Sequence, residues 1–210
     1  MSLFLLSLCL LASPLPATPS PLPPSPQPPT WLLTLPTYSS ALYSQFGQDG
    51  YLARIFAILG THSSSFVEFG FNVASYEEAQ TGSNTRLLWE GGWSGLLMDS
   101  EFQNATINLQ KHFIYEHNVV DLFQQYNVPL DVDYVSIDID STDLWIFRAL
   151  LNTQTKASES SSIPGGQYYR PRVVTVEYNC VFPFEYPLTC NRDCVWNGDR
   201  VYGASLSALR

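Results

Sequence analysis

Positive charge is scarce in this chain. Ten Lys and Arg stand against nineteen Asp and Glu, giving a formal net charge of -9 over 210 residues, and no basic cluster occurs. A nucleic acid held through its phosphates needs such a cluster, so no nucleic-acid partner is expected. Long apolar runs are lacking too. The run from Leu3 to Ala12 is about half of the ~20 residues that a spanning helix requires, so no stable membrane span is expected. The glycines of a dinucleotide fingerprint are missing: after Gly70 come Phe71 and Asn72, with no further glycine before Gly82. That spacing excludes a G-x-G-x-x-G cradle for NAD or FAD and tolerates a nucleoside without a pyrophosphate. Cysteine is sparse, with Cys9 near the start and Cys180, Cys190 and Cys194 near the end. No His/Cys spacing resembles a zinc site, and an odd set of three implies one disulfide plus a free thiol in an oxidising compartment.

What is present divides the chain. Residues 1–17 have the layout of a secretory signal peptide, an apolar core followed by small residues and proline. This places the protein in the secretory pathway, luminal or extracellular, and the sequon Asn104-Ala105-Thr106 agrees with that setting. Residues 18–37 are proline-rich and read as an extended spacer. Residues 38–210 remain for one globular domain, and a chain that is 45% hydrophobic has the means to bury a core.

Within that domain short apolar runs alternate with helical patterns. Strands are predicted at Phe66–Phe69, Gly95–Met98, Tyr134–Ile137 and Val173–Val176, with a weaker one in 112–117. Helices are predicted through QDGYLARIFAIL (48–59), from Asn84 to Glu90, after Asn118, through LWIFRALL (144–151) and from Gly203 onward. The segment 153–167 is polar and rich in Ser and Gly, the composition of an inserted loop. The alternation predicts an α/β fold with a mostly parallel, Rossmann-like sheet. Glu68, Asp99, Asp138 and Glu177 each fall at or just past the end of an apolar run. In a parallel sheet these ends share one edge, the edge where open α/β sheets hold ligands.

Two stretches carry chemistry. In VEFGFN a strand runs into an acid and then a glycine, a turn that lets backbone N–H groups approach a nucleoside, while Asp99 at the end of the next strand can accept from ribose hydroxyls. In YVSIDID (134–140), Asp138 and Asp140 follow one strand, and Glu177 and Asn179 follow another. Such oxygens can act as general base toward a hydroxyl, or hold Mg²⁺, Ca²⁺ or Mn²⁺. The competing reading is that the acids cap helices and tie down loops.

Seven pieces then occur in a familiar order: SQFGQDGYL (44–52), FVEFGFN (66–72), SNT (83–85), GWSGLLMDSE (92–101), YVSIDIDSTDLWIFRAL (134–150), RPRVVTVEYN (170–179) and YGASLSAL (202–209). In this order they resemble FkbM-type methyltransferase domains, from about Tyr43 to the last residue. The resemblance implies a class I methyltransferase fold, S-adenosylmethionine as cofactor and O-methylation of a carbohydrate or other small molecule. It implies that Glu68 and Gly70 lie beside the cofactor's methionine end and that Asp99 takes its ribose. Ser83, Asn84 and Thr85 would border the cofactor, and Asp138, Asp140 and Glu177 would be catalytic. A divalent cation, if used, would take its ligands from Asp138, Asp140, Glu177 and Asn179. Where relatives commonly read IDIDGND, this chain has IDIDSTD, with Ser141 and Thr142 in place of Gly-Asn. Class I methyltransferases finish with two further strands after a helix like that expected from Gly203, so the domain is expected to be truncated at its C-terminus. Two alternatives stay open: a metal-dependent glycosyltransferase using Asp-x-Asp, and a non-catalytic methyltransferase-like binding module.

Overall fold

The computed structural model describes residues 29–79, 82–155, 166–198 and 200–210. The expected signal peptide, most of the expected spacer and most of the expected inserted loop lie outside these residues. The described end of the spacer is helical rather than extended: α1 (Thr30–Thr34) is followed by a 3₁₀ turn at Leu35–Tyr38. Pro36 sits in the first turn of that 3₁₀ segment, where its missing N–H costs nothing.

In the unit that follows, Thr34–Arg210, the elements are α2 (Gln48–Leu59), β1 (Ser65–Phe69), α3 (Arg86–Glu90), β2 (Ser94–Asp99), β3 (Leu109–Lys111), α4 (Val119–Gln125), β4 (Tyr134–Ile137), α5 (Asp143–Asn152) and β5 (Val173–Val176). All strand pairs are parallel, in the order β3-β2-β1-β4-β5. The order reverses between β1 and β4, so the carboxyl ends of these two neighbours diverge into loops that run to opposite sides, the place where such sheets open a crevice.

The expected parallel α/β architecture is present. Helices cover both faces, as the uninterrupted burial of β1 and β4 requires. On one face Val67, Phe69, Leu96, Met98, Val135 and Ile137 pack with Val119, Val120 and Phe123 of α4 and Ile146 and Leu150 of α5. On the other, Phe66, Leu97 and Tyr134 meet Leu52 and Phe56 of α2 and Leu88 of α3. Helix α2 ends as its sequence requires: Gly60 takes φ +63 and its N–H bonds the carbonyl of Phe56.

Two local expectations are corrected. The third strand lies upstream of 112–117, at Leu109–Lys111, where Leu109 is buried beside Leu97 of β2. A three-residue strand is defined by its partner more than by its own pattern. No helix starts at Gly203. That residue has φ +64, and Ala204 pairs with Thr189 in an antiparallel bridge that ties the 200s to the 188–190 loop. The sequon Asn104 uses its amide within the fold, donating to the Ala74 carbonyl while its oxygen accepts from the Thr106 N–H.

The amino-terminal edge of the sheet carries a clamp that the sequence reading did not single out. Asp133, fully buried just before β4, accepts from the backbone N–H groups of His62, Ser63 and Ser64 and pairs with the Arg172 guanidinium. Arg172 also donates to the carbonyls of Leu59 and Gly60. Enclosure alone would raise the Asp133 pKa, but the three N–H groups and the guanidinium outweigh it and hold the carboxyl below its ordinary value. One carboxylate thus joins the end of α2, the turn into β1 and the starts of β4 and β5.

Candidate functional site at the carboxyl edge

Side chains on the α2/α3 face of the sheet line up in rows, because the strands are parallel and in register. Phe66, Tyr134 and Val173 form an apolar row; two residues on, Leu97, Glu68, Ser136 and Thr175 form the next. A further two residues on come Asp99, Gly70, Asp138 and Glu177, at the edge. Polarity thus rises toward the carboxyl end of the sheet, although each strand by itself reads as apolar.

The middle row is a closed network. Glu68 is buried, and its carboxylate accepts from the hydroxyls of Ser83 and Thr85 and from the Asn84 N–H. The Asn84 amide donates to the Ser136 hydroxyl at 3.0 Å, which also accepts from Thr175. The SNT segment is therefore fastened across β1 and β4. Burial raises the Glu68 pKa, against the three hydrogen bonds that favour its ionised form. Glu68, Asn84 and Thr85 are spent on one another and on Ser136, so their effect on any ligand is to position the loop above them.

The edge row contains both committed and open acids. Asp99 is buried and accepts from Asn72 N–H at 2.9 Å with one oxygen, and from Glu101 and Phe102 N–H at 2.7 and 3.1 Å with the other. It holds together the loops that leave β1 and β2. Gly70, at φ +72, packs its backbone against β4: a Cβ there would sit 1.8 Å from the Asp138 carbonyl oxygen. Only glycine permits that approach.

Asp138, Asp140 and Glu177 converge, each offering a carboxylate oxygen within 4.8 Å of the others. Their convergence is built by the turn 138–143. Fully buried Asp143 accepts from the N–H groups of Ile139 and Ser141, and Asp140 adopts a left-handed conformation, φ +55. That turn swings Asp140 back toward β5. Asp143 thereby acts as the anchor of the turn, and Thr142, although it stands at the helix N-cap, makes no side-chain capping bond.

The triad is electrostatically unsettled. Crowding by protein atoms, then the charges of Asp143, Asp140 and Glu68, push the Asp138 carboxyl up to about 7, although solvent reaches it and screens those charges. Glu177, half-buried, is pushed up to about 8 by desolvation and then by Asp138, Asp143 and Asp140. Among the described residues its buried Oε2 has no hydrogen-bond partner and its Oε1 accepts one long bond, 3.4 Å, from Tyr202. Burial also raises Asp140, which a bond from Tyr202 opposes. Tyr202 is a member of the site that sequence reasoning missed; it opens the piece YGASLSAL but stands 25 residues from Glu177, and that piece gave it no role there. Asn179 is drawn elsewhere: its amide donates to the carbonyls of Arg200 and Tyr202, and its oxygen accepts from the Val181 N–H. It braces the loop instead of facing the triad as a free ligand.

Compared with models of protein families, with curated proteins and with solved structures, the chain matches none.

Proposed function

We propose that this chain binds S-adenosylmethionine at the carboxyl ends of β1 and β2 and transfers its methyl group to a hydroxyl of a carbohydrate or other small molecule held at Asp138, Asp140 and Glu177. The observation that carries this reading is the convergence of the Asp138, Asp140 and Glu177 carboxylates, one buried oxygen of Glu177 lacking a partner among the described residues, beside Gly70 at the sheet edge where the strand order reverses. The seven ordered sequence pieces support it, and the strand order is that of the first five strands of a class I methyltransferase.

The residues present fit the cofactor at Asp99. A carboxylate has about four acceptor positions; three are filled by backbone N–H groups, which leaves one for a ribose hydroxyl. The cofactor supplies an electrophilic sulfonium methyl. With that group bound, Asp138 would take the proton of an acceptor hydroxyl held beside it, as general base. Glu177 and Asp140 orient that hydroxyl. The same oxygens have the hardness and spacing that Mg²⁺, Ca²⁺ or Mn²⁺ takes, and such an ion would lower the pKa of a bound hydroxyl.

Calorimetric titration tests the reading. Saturable heat with S-adenosylmethionine is expected, and heat with UDP-sugar plus Mn²⁺ alone would overturn it in favour of a glycosyltransferase. Asp138→Ala is expected to keep cofactor binding and lose turnover; unchanged turnover would reject its role as base. A binding module without turnover is the second reading, favoured by Ser141 and Thr142 standing beside the acids where relatives commonly read Gly-Asn. Cofactor heat without methyl transfer to any of a panel of glycans would select it.

A further inference from the structure

The loop between Glu177 and Ser205 holds the three described cysteines, all of them thiols here. Cys190 and Cys194 are half-buried, while Cys180 is exposed. A turn in which the Cys194 N–H bonds the Asn191 carbonyl at 3.0 Å folds position 194 back toward 190. Both residues line one cleft of about 420 Å³, with Thr189, Asn191, Asp193 and Val195 also in its wall. The Cys194 thiol neighbours that of Cys190 and, after burial, helps to raise it.

Cys190 is also a fastening point for the acidic site. Its thiol donates to the Ser141 carbonyl, its own carbonyl accepts from Trp145 Nε1 at 2.9 Å, and its N–H bonds the Gly203 carbonyl at 3.0 Å. The Gly203 N–H in turn bonds the Ser141 carbonyl at 3.1 Å. Ser141 follows Asp140 directly, and Tyr202, which donates to Glu177, precedes Gly203.

We propose that Cys190 and Cys194 form a reversible disulfide with each other, leaving Cys180 free, and that this bond reports the redox state of the surroundings to the turn that carries Asp140. The oxidant is a low-molecular-weight disulfide such as oxidised glutathione, which the open cleft admits. Cys194 as thiolate attacks it, giving a mixed disulfide and one released thiol. Cys190 then gives up its proton to water and attacks the Cys194 sulfur, expelling the second thiol. Two thiols and one disulfide become one protein disulfide and two small thiols, so hydrogens and electrons balance. Burial holds the Cys190 thiol up at about 12, so its attack is the slow step of the two. Once joined, Cys190 has no S–H to give, and the Ser141 carbonyl keeps only the Gly203 N–H. The inference does not rest on methyl transfer.

The full chain, equilibrated in glutathione redox buffers, alkylated and digested with trypsin, tests it. Cleavage at Arg192 separates the two cysteines, so a disulfide joins peptides 173–192 and 193–200, about 2 Da lighter than the two reduced peptides together apart from the alkyl label on Cys180. That joined species is expected in the wild type and in Cys180→Ser, and to be lost in Cys190→Ser and Cys194→Ser. Loss in Cys180→Ser, or alkylation of both Cys190 and Cys194 under oxidising buffer, would overturn the pairing. The Trp145 indole N–H resonance, assigned with Trp145→Phe, is expected to shift on oxidation in the wild type and stay fixed in Cys194→Ser. A joined pair with no shift would overturn the coupling.

Discussion

The two ends of β4 carry acids five residues apart with opposite fates. At the amino end Asp133 is enclosed and supplied with three backbone N–H groups and a guanidinium, and its carboxyl is held below its ordinary value. At the carboxyl end Asp138 is crowded by protein atoms and by the charges of Asp143, Asp140 and Glu68, and its carboxyl is pushed up to about 7. Protein interiors tolerate a carboxylate when donors satisfy it, and an acid left short of donors destabilises the fold unless something else uses it. The contrast therefore separates an acid that holds the sheet together from one that the fold does not use as a fastening.

The largest expected effect breaks the first member of that pair. Asp133→Ala leaves the Arg172 charge and three N–H groups without their acceptor and should cost about 3–5 kcal/mol in urea unfolding. Asp138→Ala should leave stability unchanged or raise it slightly, since it removes repulsion. Equal losses in the two variants would erase the distinction. A smaller effect comes from the contact between β1 and β4. Gly70→Ala places a methyl group against the Asp138 carbonyl at a positive φ and should cost about 2–3 kcal/mol, whereas Gly92→Ala, at φ +85 with open space around it, should cost about 1 kcal/mol.

The smallest expected effect is the pH dependence. The folded protein holds the Asp138 and Glu177 protons more tightly than the unfolded chain does, so the resulting stability is present at low pH. It is lost as pH rises from about 4 through about 7 to 8. Asp133 works in the opposite direction, and its contribution is lost only as pH falls below the ordinary carboxyl range. Unfolding midpoints should therefore be highest on the acid side of neutrality. Glu177→Gln should flatten the decline toward pH 8 by about 1 kcal/mol after allowance for solvent screening.

Much of the scaffold could be read in advance because its signals are local. The apolar runs that became β1, β2, β4 and β5 are bounded by acids and glycine, and helix α2 shows its buried positions at Leu52 and Phe56 and its stop at Gly60. β3 was misplaced because three residues of mixed polarity become a strand only by pairing with Leu97 to Asp99. The helix expected from Gly203 failed because a positive φ and the bridge from Ala204 to Thr189 draw that segment back over the turn at Ser141. The four strand-end acids were visible as a set, but their roles were not. Glu68 meets Ser83 to Thr85 across 15 to 17 positions, and Asp133 meets Arg172 across 39.

The order of elements and the placing of acids at strand ends follow from the sequence alone, because hydrophobic period and turn residues act over a few neighbours. Which acids are satisfied and which stay open was decided only in the tertiary structure. Donors reach Glu68, Asp99 and Asp133 from loops brought close by the closing of the sheet, while the turn anchored by Asp143 gathers Asp138, Asp140 and Glu177 against one another and the Tyr202 hydroxyl.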